Sequence, residues 1–237
     1  FAEELAAVIL KETQEKPETL TKYRIMLPTR RGCRHLRDAF LRLTEGRPLL
    51  LPRLMTIGDV EEDELLIDMA GSGQAEALLN LPPAINPLRR QILMARLIQA
   101  TPDFGHTPDH AFKLAKALGQ LIDQIYNEDL DMADLAAIVP ENFADHWQIT
   151  LKFLKILSEA WPQILDEEGL IDVADRRNRL INTLAMHWTN NPPESPVIAA
   201  GSTGSMPATA KLLKVVAGLP QGRVVLPGLD SDIDDES

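Results

Sequence analysis

Short apolar segments alternate with helical patterns at both ends of the chain, and this alternation constrains the fold more than any other feature. Near the start, YRIMLP and PLLLPRLMTIGDV flank a pattern in which Leu36, Phe40 and Leu43 recur at helical spacing. Near the end, VIAA and GRVVLPGLD flank a second helical pattern, from about Pro207 to Ala217. Strands that alternate with helices are typical of βαβ units, whose strands pair in parallel. The sequence therefore predicts an α/β fold with a parallel sheet.

The segment between these two ends contains helical patterns only. From about Ile85 to Asn190, apolar side chains recur in four helical stripes. The third stripe runs from Trp147 through Leu151 and Leu154 to Trp161, where Pro162 is expected to end or kink it, and the fourth begins at Asp172, a candidate N-cap. We therefore predict an all-helical insertion subdomain over residues 81–190, and residues 1–80 and 191–237 form one discontinuous domain.

The charge of the chain is segregated. The net charge is −11, yet the segment from Arg24 to Arg53 carries eight arginines against Asp38 and Glu45. An acidic protein as a whole is unsuited to nonspecific binding of nucleic acid, whereas a local cluster of arginines suits contacts with phosphate. The alternative interpretation is a solvated, charged helix face.

Composition indicates the compartment. The single cysteine, Cys33, excludes an internal disulfide framework and a metal site of several thiolates. Because no apolar run reaches the length of about 18 residues that a membrane span needs, we expect a cytoplasmic protein without a membrane partner. The chain starts at Phe1 and ends in DSDIDDES, so we expect a piece of a longer protein.

The segment PTRRGCRHLRDAF carries the strongest local signal. A strand end that runs into Thr29, Arg30 and Arg31, followed by a helix with Arg34 and Arg37 in its first turns, brings guanidinium groups beside unpaired backbone N–H donors. Cations at a helix N-terminus are unfavourable by themselves, and an anion would relieve this. These residues are candidates for binding a phosphate backbone.

The loop GSTGS, which comprises Gly201, Ser202, Thr203, Gly204 and Ser205, raises the question of a nucleotide site. A Walker A loop requires a lysine directly after its second glycine, but here Ser205 follows Gly204. The pattern favours a turn between strand and helix, with Pro207 at the first helical position.

Other motifs do not indicate catalysis. His106 and His110 have the spacing of a zinc pair, but Pro108 between them favours a loop and helix cap. The acidic stretches EEDE at residues 61–64 and DSDIDD near the end lack the glycine and glutamate positions of a calcium-binding loop. Arg176, Arg177 and Arg179 repeat the arginine cluster more weakly and are candidates for pairing with Asp172 and Asp175. We predict no catalytic residue and no metal site.

Four segments together resemble the N-terminal region of AddB, the double-strand break repair subunit of the AddAB helicase-nuclease, in its alphaproteobacterial form. They occur in the right order and span nearly the whole chain: MLPTRRGCRHLRDAFL, LLLPRLMTIGDVEEDE, GLIDVADRRNRLI and IAAGSTGSMPATAKLLKVVAGLPQGRVVLPGLD. The resemblance implies a RecA-like, P-loop NTPase or helicase-like sheet domain that a helical subdomain interrupts. It also implies a heterodimer with AddA that processes DNA ends for homologous recombination, in several cases with recognition of a Chi sequence.

The resemblance also assigns roles to residues. Thr29, Arg30 and Arg31 match helicase motif Ia, which holds single-stranded DNA. The loop Gly201 to Ser205 follows the strand that in active motors ends in an Asp-Glu pair, but here Ala199 and Ala200 occupy that end. Without that acid, Mg²⁺ cannot be held and ATP hydrolysis is not expected. The family's iron–sulfur cluster and nuclease Mg²⁺ belong to a C-terminal domain outside this chain, so we expect no cofactor here.

Two other functions are open at this point. A nucleotide-dependent enzyme would use the Gly201 to Ser205 loop, and a protein-interaction scaffold would dock AddA through the acidic helical segment.

Overall fold

A computed structural model describes residues 1–13, 17–45, 47–58, 65–66, 69–70, 73–101, 107–130 and 156–228. The chain forms two compact units, residues 1–78 with 180–237, and residues 79–179. The sequence prediction had set these divisions after residues 80 and 190.

A four-stranded, fully parallel sheet organises the first unit, which confirms the predicted α/β class. The strands are β1 (Arg24–Leu27), β2 (Arg53–Thr56), β3 (Val197–Ala200) and β4 (Gly222–Val225), and their order in the sheet is β2-β1-β3-β4. The central pairing aligns Arg24 with Val197 and Met26 with Ala199. All four residues of β3 are buried, as expected for an inner strand covered on both faces.

The strand β2 occupies only the second half of the apolar run in which it was predicted. The run begins at Pro48, but the strand begins at Arg53, directly after Pro52. Proline has no backbone N–H to donate to a neighbouring strand, so the ladder starts after it.

Among the described residues, the first unit contains in full the α-helices α1 (Ala2–Glu12), α2 (Arg30–Leu43) and α8 (Pro207–Gly218), together with a 3-10 helix (Pro17–Lys22). The apolar faces of α1 and α2 pack with the two central strands in one core, which includes Leu5, Ile9, Ile25, Phe40 and Ile198. The turn from α8 into β4 requires a glycine, because a Cβ at Gly222 would lie 1.8 Å from the carbonyl oxygen of Val216.

The described part of the second unit is helical. Its main helices are α4 (Pro87–Ala100) and α5 (Pro108–Asn127). A short helix α3 (Gly73–Leu79) lies almost entirely in the first unit and ends at the boundary. Asn86 caps α4 by accepting hydrogen bonds from the N–H groups of Leu88 and Arg89, and Thr107 caps α5 through the N–H of His110.

A π-helical turn (Ile156–Ala160) leads into α6 (Trp161–Glu167), and α7 (Val173–Asn190) follows. Pro162 lies in the first turn of α6, where the helix changes from π to α geometry. The predicted end of the helix at Pro162 is therefore wrong: the helix continues to Glu167, because the first turn of an α-helix tolerates a residue without an N–H group. Trp161 is fully buried, whereas the earlier positions of its predicted stripe, Trp147, Leu151 and Leu154, lie outside the described residues.

The core of the second unit is formed by apolar side chains of α4, α5 and α6, among them Met94, Ile98, Leu118, Ile122 and Trp161. Among the described residues, no helix combines the length and apolar composition that crossing a membrane would need.

Candidate nucleic-acid interface

The junction between β1 and α2 has the predicted form of a strand end that turns into a helix N-terminus. Thr29 is the N-cap of α2, and its Oγ1 accepts a hydrogen bond from the N–H of Gly32 at 3.0 Å. The turn forms here because Pro28 ends the strand and a threonine hydroxyl satisfies one of the orphan donors of the first helical turn. The hydroxyl hydrogen of Thr29 can still be donated to a ligand.

The arginines of α2 are exposed, but they do not lie on one face. Arg30, Arg34 and Arg37 are spaced by four and three residues, so they share one side of the helix. Arg31 lies on a neighbouring side, because one residue corresponds to a rotation of about 100°. Arg31, Arg34 and Arg37 form no ion pair with the residues that the structure describes. The five predicted DNA-binding residues therefore divide into a capped helix start and two exposed cationic faces.

The end of α2 differs from its start. Arg42 pairs with Glu3 of α1, with 2.9 Å between Nη2 and Oε1. Arg47, just beyond the helix, lies 3.8 Å from a carboxylate oxygen of Glu45. The arginines at the C-terminal end are thus compensated by carboxylates, which leaves the start of α2 as the cationic end.

The loop from Gly201 to Ser205 connects β3 to α8 through two glycines in the left-handed region, with φ of 75° at Gly201 and 68° at Gly204. Within it, the Oγ of Ser202 accepts a hydrogen bond from the N–H of Gly204 at 3.3 Å. Pro207 occupies the first turn of α8, as predicted, and the preceding Met206 makes no side-chain cap. The start of α8 therefore offers backbone donors that no capping side chain occupies.

The two junctions meet at one edge of the sheet. Because β1 and β3 pair in parallel, their carboxyl ends point the same way, and a Cβ at Gly201 would lie 3.7 Å from Cδ of Pro28. From β1 the chain continues to β2 on one side of β1, whereas β3 and β4 lie on the opposite side of β1. The direction in which strands are added therefore reverses between β1 and β3. Such a reversal creates a crevice between neighbouring strand ends, the place where open α/β sheets bind ligands.

The end of β3 carries no carboxylate. The strand that precedes the loop ends in Ala199 and Ala200, and both are buried. Neither position can supply a carboxylate to a metal ion or to an attacking water. Among the described residues, no three His, Cys, Asp or Glu side chains lie close enough to hold a metal ion. His110 lies at the capped start of α5, whereas His106, residues 61–64 and the acidic tail are outside the described residues.

The second arginine group comprises Arg176, Arg177 and Arg179 at the start of α7, and its contacts lie within the second unit. Arg179 makes a two-point pair with Asp175, with 2.8 Å for each contact. The Nε of Arg176 donates to the carbonyl oxygen of Pro82, and Arg177 donates to the side chain of Asn127. The predicted pairing of Arg179 with Asp175 is confirmed, and these contacts make the group part of the structure of the second unit.

Sequence reasoning missed a buried polar cluster around Asp172. The carboxylate is fully buried, accepts a hydrogen bond from Nε1 of Trp161 at 2.7 Å, and lies 2.7 Å from Nε of Arg90. Burial raises the pKa of Asp172, although Arg90 and the Trp161 hydrogen bond act in the opposite direction. Asp172 does directly precede α7, as predicted for an N-cap, but both of its oxygens contact side chains of other helices. Only the N-cap pattern was visible in the sequence.

No protein-family model and no curated protein matches this chain.

Proposed function

We propose that this chain is the RecA-like, helicase-like region of an AddB subunit, interrupted by a helical insertion, and that it holds single-stranded DNA at the ends of β1 and β3 without hydrolysing ATP. One observation carries the proposal: the arginine-rich start of α2 and the Gly201 to Ser205 loop lie side by side at the point where the strand order reverses. The sequence resemblance to AddB supplies the biological setting.

The chemistry of the crevice suits a phosphate backbone. Two helix N-termini, those of α2 and α8, follow the two adjacent strand ends, and their backbone N–H groups favour anions. Arg34 and Arg37 add exposed guanidinium groups that pair with no described carboxylate. Guanidinium groups bind phosphate oxygens in a bidentate manner, without regard to base sequence.

The residues at the end of β3 support a role without catalysis. Because Ala199 and Ala200 stand where an active motor carries its acidic pair, the crevice can bind a nucleic-acid strand but cannot activate water. In this proposal the chain contributes a DNA path and an assembly surface. The AddA partner and the C-terminal nuclease domain of the whole subunit supply ATP hydrolysis and cleavage for double-strand break repair.

The test is fluorescence anisotropy of a labelled single-stranded oligonucleotide, titrated with this chain at several salt concentrations. The variant Arg30→Ala/Arg31→Ala removes two charges at the start of α2, and Arg42→Ala/Arg47→Ala removes two charges at its other end. For single strands, the logarithm of affinity falls with the logarithm of salt by about 0.7 for each neutralised phosphate. We expect the first variant to reduce this slope by about 1.4 and the second to leave it almost unchanged.

Equal effects of the two variants would overturn the DNA path proposed here. No salt-sensitive binding, by this chain or by its complex with AddA, would favour the scaffold function. ATP binding by calorimetry that depends on Mg²⁺ would favour the nucleotide-dependent enzyme.

A further inference from the structure

A cavity of about 420 Å³ opens between three helices of the second unit. Its volume lies within the range of about 300–1,000 Å³ that is usual for small-ligand sites. The side chains that the following argument uses are Arg90 and Met94 from α4, Lys116 and Asp123 from α5, and Arg177 from α7.

Arg90 is the central polar group of this cavity, and its side chain is only 11% exposed. Each of its three nitrogens contacts a different group: Nε faces Asp172, Nη1 pairs with Asp123 at 2.9 Å, and Nη2 donates to the carbonyl oxygen of Gly119 at 3.2 Å. A guanidinium carries five N–H groups, two of them on each Nη. One N–H on each Nη therefore has no acceptor among the described residues.

The position of Gly119 keeps this guanidinium accessible. A Cβ at Gly119 would lie 3.5 Å from Nη1 of Arg90 and 3.9 Å from the sulfur of Met94. A longer side chain here would cover the donors of Arg90. Glycine is unfavourable inside a helix by about 1 kcal/mol relative to alanine, so α5 retains an open site at a cost in helix stability.

The charges that line the cavity favour an anion. Arg90, Lys116 and Arg177 are cationic, while Asp123 lines the wall and Asp172 lies behind Arg90. Three cations and two carboxylates leave one positive charge when all five groups are ionised. A ligand with a single negative charge would neutralise it.

The remaining wall combines the amide side chains of Gln91, Gln120 and Asn127 with an apolar part. Met94 and Ala115 are 1% exposed, and Ala174 is 5% exposed. The exposed side chain of Val173 adds apolar surface that a small apolar group could cover, while a carboxylate would accept hydrogen bonds from the remaining N–H groups of Arg90. We propose that this cavity binds a carboxylate joined to a small apolar group, from a free organic acid or from the C-terminus of a peptide.

The experiment is isothermal titration calorimetry of the full chain with matched pairs of probes. Benzoate and benzamide have the same shape and differ in charge, and they represent a free acid. N-acetylphenylalanine and its amide form the corresponding pair for a peptide C-terminus. We expect saturable, millimolar binding of benzoate and none of benzamide, and binding of N-acetylphenylalanine as well would identify the peptide as a second source.

Two lysine variants locate the binding site. Lys116 lines the cavity, whereas Lys113 of the same helix is exposed and pairs with Asp109 outside it. Lys116→Gln and Lys113→Gln change the net charge equally. The pair between Lys116 and a bound carboxylate would be exposed, and such pairs contribute little. We therefore expect Lys116→Gln to weaken benzoate binding by about two- to fivefold and Lys113→Gln to leave it unchanged. Equal binding of benzoate and benzamide, no binding of benzoate, or equal effects of the two variants would overturn the proposal.

Discussion

Replacement of Asp172 by alanine tests how the second unit is held together. The carboxylate is fully buried, and it joins Nε1 of Trp161 in α6 to the guanidinium of Arg90 in α4. In the alanine variant, the indole N–H loses its acceptor and Arg90 loses one of its two carboxylates. Asp123 remains, 2.9 Å from Nη1 of Arg90.

The structure determines the expected magnitude. Removal of one partner from a buried ion pair costs about 3–5 kcal/mol, because the other charge stays buried without compensation. Here Arg90 keeps Asp123, whose side chain is 41% exposed, so the compensation is incomplete. A hydrogen bond from Trp161 to a charged acceptor adds about 1.5–3 kcal/mol when it is lost in the interior. Since these contributions overlap at one carboxylate, we expect the free energy of unfolding to fall by about 3–4 kcal/mol.

Urea unfolding followed by circular dichroism measures this loss. The control is Asp175→Ala, three residues further along α7, which removes the pair with Arg179, whose side chain is 52% exposed. Such a pair contributes about 0–1 kcal/mol. If Asp172→Ala cost no more than Asp175→Ala, the buried cluster would not stabilise the second unit, and the reasoning from burial would be refuted.

Two further predictions concern titration and backbone strain. Because burial raises the pKa of Asp172 in the folded protein, the stability that its protonation provides is fully present below about pH 4, the unfolded value, and is lost as the pH rises through the folded pKa. Relative to Asp172→Asn, the free energy of unfolding of the wild type should therefore fall as the pH rises above about 4 in urea titrations, and a constant difference would contradict this. Gly204→Ala should lower the melting temperature by an amount equivalent to about 1–2 kcal/mol, because φ is +68° and the new Cβ would lie 3.1 Å from Leu213. The same change at Gly218, where nothing lies within 4 Å, should be neutral or stabilising, and equal melting temperatures for the two variants would contradict the strain argument.

The sheet and its turns could be predicted from the sequence because their signals are local. Pro28 and Thr29 mark a strand end and a helix cap within two residues, and Pro207 marks the start of α8 in the same way. The division of the α2 arginines into two faces could also have been predicted, because it follows from helical periodicity alone. Arg30, Arg34 and Arg37 share one face, and Arg31 lies on a neighbouring one. That separation needed a helical projection and not a three-dimensional structure.

The cluster around Asp172 could not be predicted, because its partners are distant in sequence. Arg90 and Trp161 belong to different helices, and no pattern within either helix indicates the other. An aspartate before an apolar periodic segment is typical of an N-cap, and this local pattern concealed the tertiary role of the carboxylate. Local signals identify where a helix begins, whereas the packing of α4, α6 and α7 determines what the side chain contacts.

The proposed DNA path depends on one property that the sequence left open, the order of the strands. After the unit formed by β1, α2 and β2, a parallel strand can join either edge of the pair. Strands in a sheet are about 4.8 Å apart, so pairing with β2 would have placed the Gly201 to Ser205 loop about 10 Å from the start of α2. Pairing with β1 instead makes the two junctions direct neighbours, as the approach of Gly201 to Pro28 shows. The pairing of β1 with β3 thus makes the two junctions neighbours, as the proposed DNA path requires.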